Sequence, residues 1–222
     1  MTDSERWPIG VFASIDAGLG VRLDVARELG VTAVHLHTPH RKWRTPQRAA
    51  VGGLHIGFVP HDRSSAEYWQ ILAVASHACD DLARRGQALH LETGQEPAEV
   101  LTAFLADVER PNLFVNFDPA NMILYGAGEP LPALRALGGY VRSVHCKDAT
   151  WSDRPGETWG QETPLGEGAV DFPAYLRTLA EIGYAGPLTI EREIPQEPVR
   201  QKAEIAAAVQ LLDRLKREIA AG

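Results

Sequence analysis

The chain has 222 residues, 45% of them apolar, and a formal net charge of −7. Such a length fits one globular domain with a large core and leaves no room for a second full domain, while the acidic balance argues against a nucleic-acid partner held by many phosphates. No apolar run approaches the roughly 20 residues of a membrane span, the first residues lack the pattern of an export signal, and two cysteines cannot build a disulfide framework.

A soluble, cytoplasmic protein with Cys79 and Cys146 reduced and buried is therefore expected. Residues 8–15 read as the first strand, followed by a helix with Val21, Val25 and Leu29 on one face and Gly30 as its stop. The second strand is 33–38, in which His35 and His37 share a face opposite Val34 and Leu36. Residues 54–60 are the third. Ser64 or Ser65 then caps a long helix with Tyr68, Ile71, Leu72, Ala75 and Cys79 inward, ended by Gly86. Strands ending at Glu92 and Asp118 flank a helix from about 96 to 109. A shorter helix over 131–137 leads into the strand carrying His145.

Residues 149–170, rich in Gly, Pro, Trp and Asp, are too long for a plain connector and are predicted to be an active-site flap. Asp171 caps the next helix, with Pro173 in its first turn, and Gly183 stops it. The strand to Glu191 follows, and a helix with Ile205, Val209, Leu212, Leu215 and Ile219 closes the chain.

Alternating strands and helices argue for a parallel sheet covered by helices. Four strands end in a functional group, Glu92, Asp118, His145 and Glu191, which is the pattern of a barrel mouth and not of the single switch point of an open sheet. No glycine-rich nucleotide cradle is present. The fold class is thus a TIM-type α/β barrel with seven recognisable parallel strands.

Each acid alone reads most simply as a helix cap or a surface ion pair. Four groups in strand-end register form an oxygen-rich set suited to Mn2+ or Mg2+, with Co2+ or Zn2+ also compatible. A cation there polarises a carbonyl, and two glutamates allow proton removal and return at adjacent carbons. Period-two alternation puts His90 beneath Glu92, Asn116 beneath Asp118, Ser143 and Lys147 beside His145, and Thr189 and Glu193 beside Glu191. Lys147 either holds a substrate anion or pairs with Asp148 or Glu193. His35, His37 and His55 either meet substrate hydroxyls or serve as hydrogen-bonded core groups. The basic run 40–44 is either a phosphate contact or a solvated loop, and Gln95 and Glu96 read as helix caps.

These strand ends, with Pro164-Leu-Gly-Glu-Gly-Ala-Val-Asp-Phe172 and Gly183-Tyr-Ala-Gly-Pro-Leu-Thr-Ile-Glu191, resemble the sugar phosphate isomerase/epimerase family with the xylose-isomerase-like barrel. The resemblance covers residues 54–193 well and the first strands loosely. It implies a (β/α)8 barrel and a divalent metal held by Glu92, Asp118, His145 and Glu191. It further implies isomerisation or epimerisation of a small sugar or sugar phosphate through a cis-enediolate, with Glu92 and Glu191 as the catalytic proton-transfer pair. His37, His55, Asn121 and Lys147 become the candidate substrate contacts. Asn121 departs from the pattern, since ketose 3-epimerases carry a histidine three residues after the metal aspartate. Trp151 and Trp159 then read as a lid on a sugar face or as loop packing.

Against eight strands, one strand-helix unit is missing after the second. Only fifteen residues, 39–53, separate Thr38 from Leu54. The expected result is a gapped barrel or a homodimer that covers the gap. A metal-dependent dehydratase of a polyol ketone and a shortened, non-catalytic metal- or sugar-binding barrel are the alternatives. An abasic-site nuclease of the related endonuclease IV group would need more histidine ligands and a basic groove.

Overall fold

The computed structural model of the protein describes residues 7–14, 20–37, 51–54, 59–194 and 196–221, with the backbone alone at 14, 36, 37 and 51–54. The His37 side chain, His55, the basic run 40–44 and most of the 39–53 connection lie outside the described residues.

Among the described residues seven strands form one parallel sheet: β1 (Ile9–Ser14), β2 (Ala33–His37), β3 (Val51–Leu54), β4 (Ala88–Glu92), β5 (Leu113–Phe117), β6 (Val141–Cys146) and β7 (Leu188–Ile190). Their spatial order is β2-β1-β7-β6-β5-β4-β3, with every neighbouring pair parallel. Chain order and spatial order agree around the arc, as they do in a barrel. Among the described residues no hydrogen-bonded register joins β2 to β3. Among the described residues the sheet is that of an incomplete α/β barrel. A two-residue segment, Val21–Arg22, pairs with Ala13 and Ser14. Because β2 holds one edge of β1 there, this segment extends the β7 side beyond Val11 and is not an eighth wall strand.

The third strand differs from expectation. It is seen at Val51–Leu54, with Gly52 and Gly53 paired to Leu89 and His90, so the glycine pair is part of the ladder and not a breaker before it. Residues 55–58 lie outside the described set.

Among the described residues seven helices accompany the sheet: α1 (Leu23–Glu28), α2 (Ala66–Ala83), α3 (Ala98–Val108), α4 (Pro119–Tyr125), α5 (Pro130–Leu137), α6 (Phe172–Glu181) and α7 (Pro198–Ala221). Ser65 Oγ accepts the Tyr68 amide at the start of α2, and Tyr68, Ala75 and Cys79 form its buried stripe. Glu109, at φ 51, ends α3 in the left-handed region. Pro97 occupies the N-cap of α3, so neither Gln95 nor Glu96 is that cap. Helix α4 was not expected. Asp118 followed by Pro119 is a cap and first-position proline that reads from sequence as a mere turn.

The 149–170 stretch is a pinned hairpin, not a bare flap. Asp148–Thr150 pairs antiparallel with Gln161–Thr163. The buried Asp148 carboxylate accepts four backbone amides, Ala149 and Val170 at 2.9 and 3.1 Å on Oδ1, Gly166 and Gly168 at 2.9 Å each on Oδ2. Nearer the tip, the Gly160 amide donates to the Leu124 carbonyl at 2.8 Å. Gly126, at φ 69, meets Pro155 and Gly156 so closely that a Cβ there would overlap their backbone.

Asp148→Ala strands four amides at once and is expected to cost roughly 3 kcal/mol of stability and to open the hairpin to proteolysis. Chemical denaturation and cleavage mapping of residues 149–170 test this. A stability within about 0.5 kcal/mol of wild type, with the hairpin still protected, would show that Asp148 is not its pin.

Candidate metal centre

Register decides where the four strand ends meet. Glu92 lies level with Asn116, and Asn116 with Ser143. Continuing that register puts Asp118 beside His145, which is level with Thr189 on β7, and so puts Glu191 one pleat higher beside Lys147. The groups climb as a staircase, the stagger that tilted strands impose on a barrel. Their side chains converge nonetheless. Nδ1 of His145 lies 3.0 Å from Glu191 Oε2, 3.2 Å from Glu92 Oε1 and 3.4 Å from Asp118 Oδ2. Among the described residues this is the group of histidine and carboxylate side chains able to hold a metal ion, its ligand atoms all within 4.8 Å of one another.

The spacing fits a cation. Two ligand atoms about 2.1 Å from one ion stand about 3.0 Å apart at a right angle and about 3.4 Å apart at the tetrahedral angle. The three nitrogen-oxygen distances fall in that interval.

Each ligand is held by its own support. Asp118 divides its two oxygens: Oδ1 caps α4 by accepting the amides of Ala120 and Asn121 at 2.8 and 3.1 Å, and Oδ2 faces the centre. The helix-cap reading of this residue holds, and its second oxygen is left for the centre. Thr93 Oγ1 accepts the Asp118 amide at 2.7 Å and donates to its carbonyl at 2.9 Å, fixing the end of β5 to the end of β4. Asn121 is buried, and its amide donates to Glu92 Oε1 at 2.9 Å and to the Thr93 carbonyl at 3.2 Å. It therefore orients a ligand.

On the other side of His145, Nε2 lies 3.1 Å from His35 Nδ1 and 3.2 Å from Asn116 Nδ2. Asn116 Oδ1 is buried with no hydrogen-bond partner, so turning that amide over would let its carbonyl accept the Nε2 proton. Either acceptor selects the tautomer with Nδ1 bare toward the carboxylates. His90, one step below Glu92, contacts Ser143 Oγ at 2.7 Å, and burial pulls its imidazole down to about 4.

Lys147 is buried. Its ammonium stands 3.4 Å from both Glu191 Oε2 and Glu193 Oε1, and 3.9 Å from Glu162 Oε2. Burial alone would lower it, but Glu191, Asp118 and Glu193 outweigh burial and hold it well above its ordinary value. Burial likewise pushes Glu193 up to about 7. Glu162, from the hairpin, also accepts Arg192 Nη1 at 2.6 Å and the Glu193 amide at 2.9 Å. Sequence reasoning missed Thr93, Glu162 and Tyr125 as parts of this site; Thr93, directly after Glu92, was the one within reach of it.

Burial pulls the His145 imidazole down, yet Glu191 and Glu92 raise it well above its usual value. Glu191 falls to about 2 despite burial, because His145 and Lys147 favour its charge. Burial raises Asp118.

An arc of parallel strands with three carboxylates and an imidazole gathered at its mouth defines an α/β barrel with a candidate metal centre. The chain belongs to the xylose isomerase-like TIM barrel family, whose pattern matches residues 17–216. The crystal structure of a xylose isomerase domain protein from Planctomyces limnophilus superposes with a TM-score of 0.91 at 43% identity, covering 98% of this chain and 100% of that one. An inosose dehydratase from Clostridium botulinum is 26% identical over 148 residues, 60% of this chain. An L-ribulose-5-phosphate 3-epimerase from Salmonella paratyphi A is 39% identical over 77 residues, 34% of this chain. The matched regions span 49% and 24% of those two relatives. No described helix is long and apolar enough to cross a membrane.

Asn121→Ala removes the amide that holds Glu92 and is expected to weaken Mn2+ binding about 10- to 100-fold with little change in fold. Calorimetric titration checks it, and an affinity within about twofold of wild type would show that Glu92 needs no such support.

Proposed function

We propose that the protein is a divalent-metal-dependent isomerase or epimerase of a small polyhydroxy carbonyl compound. The observation that carries this is the convergence of Glu92, Asp118 and Glu191 on His145 Nδ1 at the mouth of a barrel of this family. Those four residues would hold the ion, and the oxygen-rich set favours Mn2+ or Mg2+. When bound, the ion supplies Lewis-acid polarisation of the substrate carbonyl.

The chain's own groups do the rest. Asp118 is spent on α4 and on the centre, and His145 is locked between the carboxylates and His35. They hold position. Glu92 and Glu191 each turn one oxygen to the centre, and the second oxygen of each is the candidate proton carrier. They stand on different strands, so one removes a proton from a carbon beside the carbonyl and the other delivers one to the neighbouring carbon or the opposite face. Lys147 neutralises Glu191 and Glu193, and in this reading its ammonium would bond a substrate oxygen. A second reading, dehydration of a polyol ketone, draws on the inosose dehydratase, which matches the longer stretch of this chain. It begins with the same proton removal, and Glu193, held near 7, is a suitable acid for a departing hydroxyl.

Metal-stripped protein titrated with Mn2+ is expected to bind one ion, with binding lost in His145→Ala and Glu191→Gln. A proton on His145 competes with the cation. Because the carboxylates raise that imidazole, affinity should fall as pH is lowered, and binding should release a proton visible as a buffer-dependent enthalpy. Without metal the sign reverses: the raised imidazole stabilises the fold below its unfolded value and loses that contribution as pH rises through its folded one. Ketoses and sugar phosphates in heavy water should then exchange the hydrogen beside the carbonyl. A product heavier by the exchanged deuterium with no loss of water marks isomerisation, and loss of one water marks dehydration; a metal-loaded protein that exchanges no hydrogen in any of them sinks both readings.

A further inference from the structure

The metal centre fills only part of the barrel mouth. The hairpin tip forms an open cleft of about 410 Å3 whose lining includes Trp151, Ser152, Asp153, Arg154, Trp159 and Gln161. Trp159 is 72% exposed, although its ring meets that of Tyr125 nearly at right angles, at 5.2 Å between centroids and 83° between planes. An indole held this way presents a broad apolar face that nothing in the described residues covers. The hairpin that carries it is pinned at its base by Asp148 and near its tip by the Gly160 amide, so the platform is preorganised. Ser152 Oγ is buried in the cavity wall with no hydrogen-bond partner. Asp153, Arg154 and Gln161 add acceptors and donors around it.

An aromatic face ringed by hydrogen-bonding groups complements a flat molecule with an apolar C–H face and a hydroxyl rim. That is a sugar ring. Tyr125 ties the cavity to the centre: its ring abuts Trp159, and its phenol is near enough to feel Lys147, Glu193, Glu92 and Asp118.

We propose that the hairpin cavity is a subsite for a second sugar ring, stacked on Trp159, belonging to a substrate whose carbonyl-bearing unit occupies the metal centre. The substrate class is then a disaccharide or glycoside with a reactive carbonyl end, and not a free monosaccharide. The role of that carbonyl unit rests on the isomerase reading; the ring site does not.

Wild type, Trp159→Ala and Trp159→Phe, each loaded with Mn2+, are titrated with the ketose disaccharides lactulose and maltulose and with fructose. Metal-free wild type, Trp159→Ala and Glu191→Gln are titrated with methyl β-galactoside and methyl α-glucoside, the outer rings of those disaccharides, by tryptophan fluorescence. The disaccharides are expected to bind wild type at least about tenfold tighter than fructose. That ratio should collapse in Trp159→Ala and persist in Trp159→Phe, with melting temperature and Mn2+ affinity unchanged. The methyl glycosides should bind metal-free wild type and Glu191→Gln alike and miss Trp159→Ala. No preference for the disaccharides in wild type, or a preference that survives Trp159→Ala, overturns the proposal. Failure of the isomerase reading shows separately, as absent hydrogen exchange in every sugar while the methyl glycosides still bind.

Discussion

Three carboxylate oxygens within 3.0 to 3.4 Å of one buried nitrogen concentrate negative charge where water cannot dilute it. Such a cluster persists only with positive charge among its members. Two sources are built in: the His145 imidazole, driven above its ordinary value by Glu191 and Glu92, and the Lys147 ammonium, driven the same way. They do not satisfy the cluster evenly. Lys147 leans toward Glu191, Glu193 and Glu162, while burial still pushes Asp118 toward its neutral form. A divalent cation at the focus would serve all three carboxylates at once and free His145 from carrying the proton. The charge pattern is that of a site shaped for a cation.

The frame around it resists the repulsion. Asp118 has one oxygen tied into α4, and Thr93 locks the ends of β4 and β5 together, so the ligand cannot swing away without unwinding a helix start. Glu92 is restrained by Asn121. Across the mouth, Arg192 bridges Glu162 on the hairpin to Glu204 on α7, both at 2.6 Å, and the carbonyl of Arg192 accepts Gln201 Nε2 at 2.6 Å. The hairpin, the end of β7 and α7 are thereby joined in one network beside Glu191. A side chain at the centre is positioned by strands, and the strands are positioned by polar contacts that reach the outer layer.

Much of this was legible in the sequence because it depends on local periodicity. Strand ends at Glu92, Asp118, His145 and Glu191, the Ser65 and Asp171 caps, and the glycine stops at 30, 86 and 183, all at φ near 70, follow from rules of a few residues' range. The misreadings have equally local causes. Gly52 and Gly53 carry no side-chain signal, so the sequence starts the third strand only at residue 54. Helix α4 spans only seven residues, too few for a hydrophobic period to declare itself. The hairpin strands are three residues each and depend on Asp148 gathering amides 18 to 22 residues away, an interaction no window of sequence displays. Asn121 illustrates the boundary between the two: its place three residues after Asp118 was plain, but its choice of Glu92 as partner is a tertiary fact.

The open wall bears on function through one contact. Strands β4, β5, β6 and β7 carry or lead into the four candidate ligands, and each has a paired neighbour on both sides, so among the described residues none of them stands at an edge. The Planctomyces chain, matched over its whole length, shows that this compact build is shared by a second protein. Yet β2 stands at the rim of the gap and carries His35, whose Nδ1 meets His145 Nε2 and whose ring packs on Phe12 and His145. In a full barrel a further strand would brace β2 on that side. Here the bracing comes from β1, in register from Gly10↔Ala33 to Ser14↔His37, and from Phe12 packed against both imidazoles. The early strands therefore reach the candidate centre by orienting His145, and they do so as long as β1 holds β2 in place.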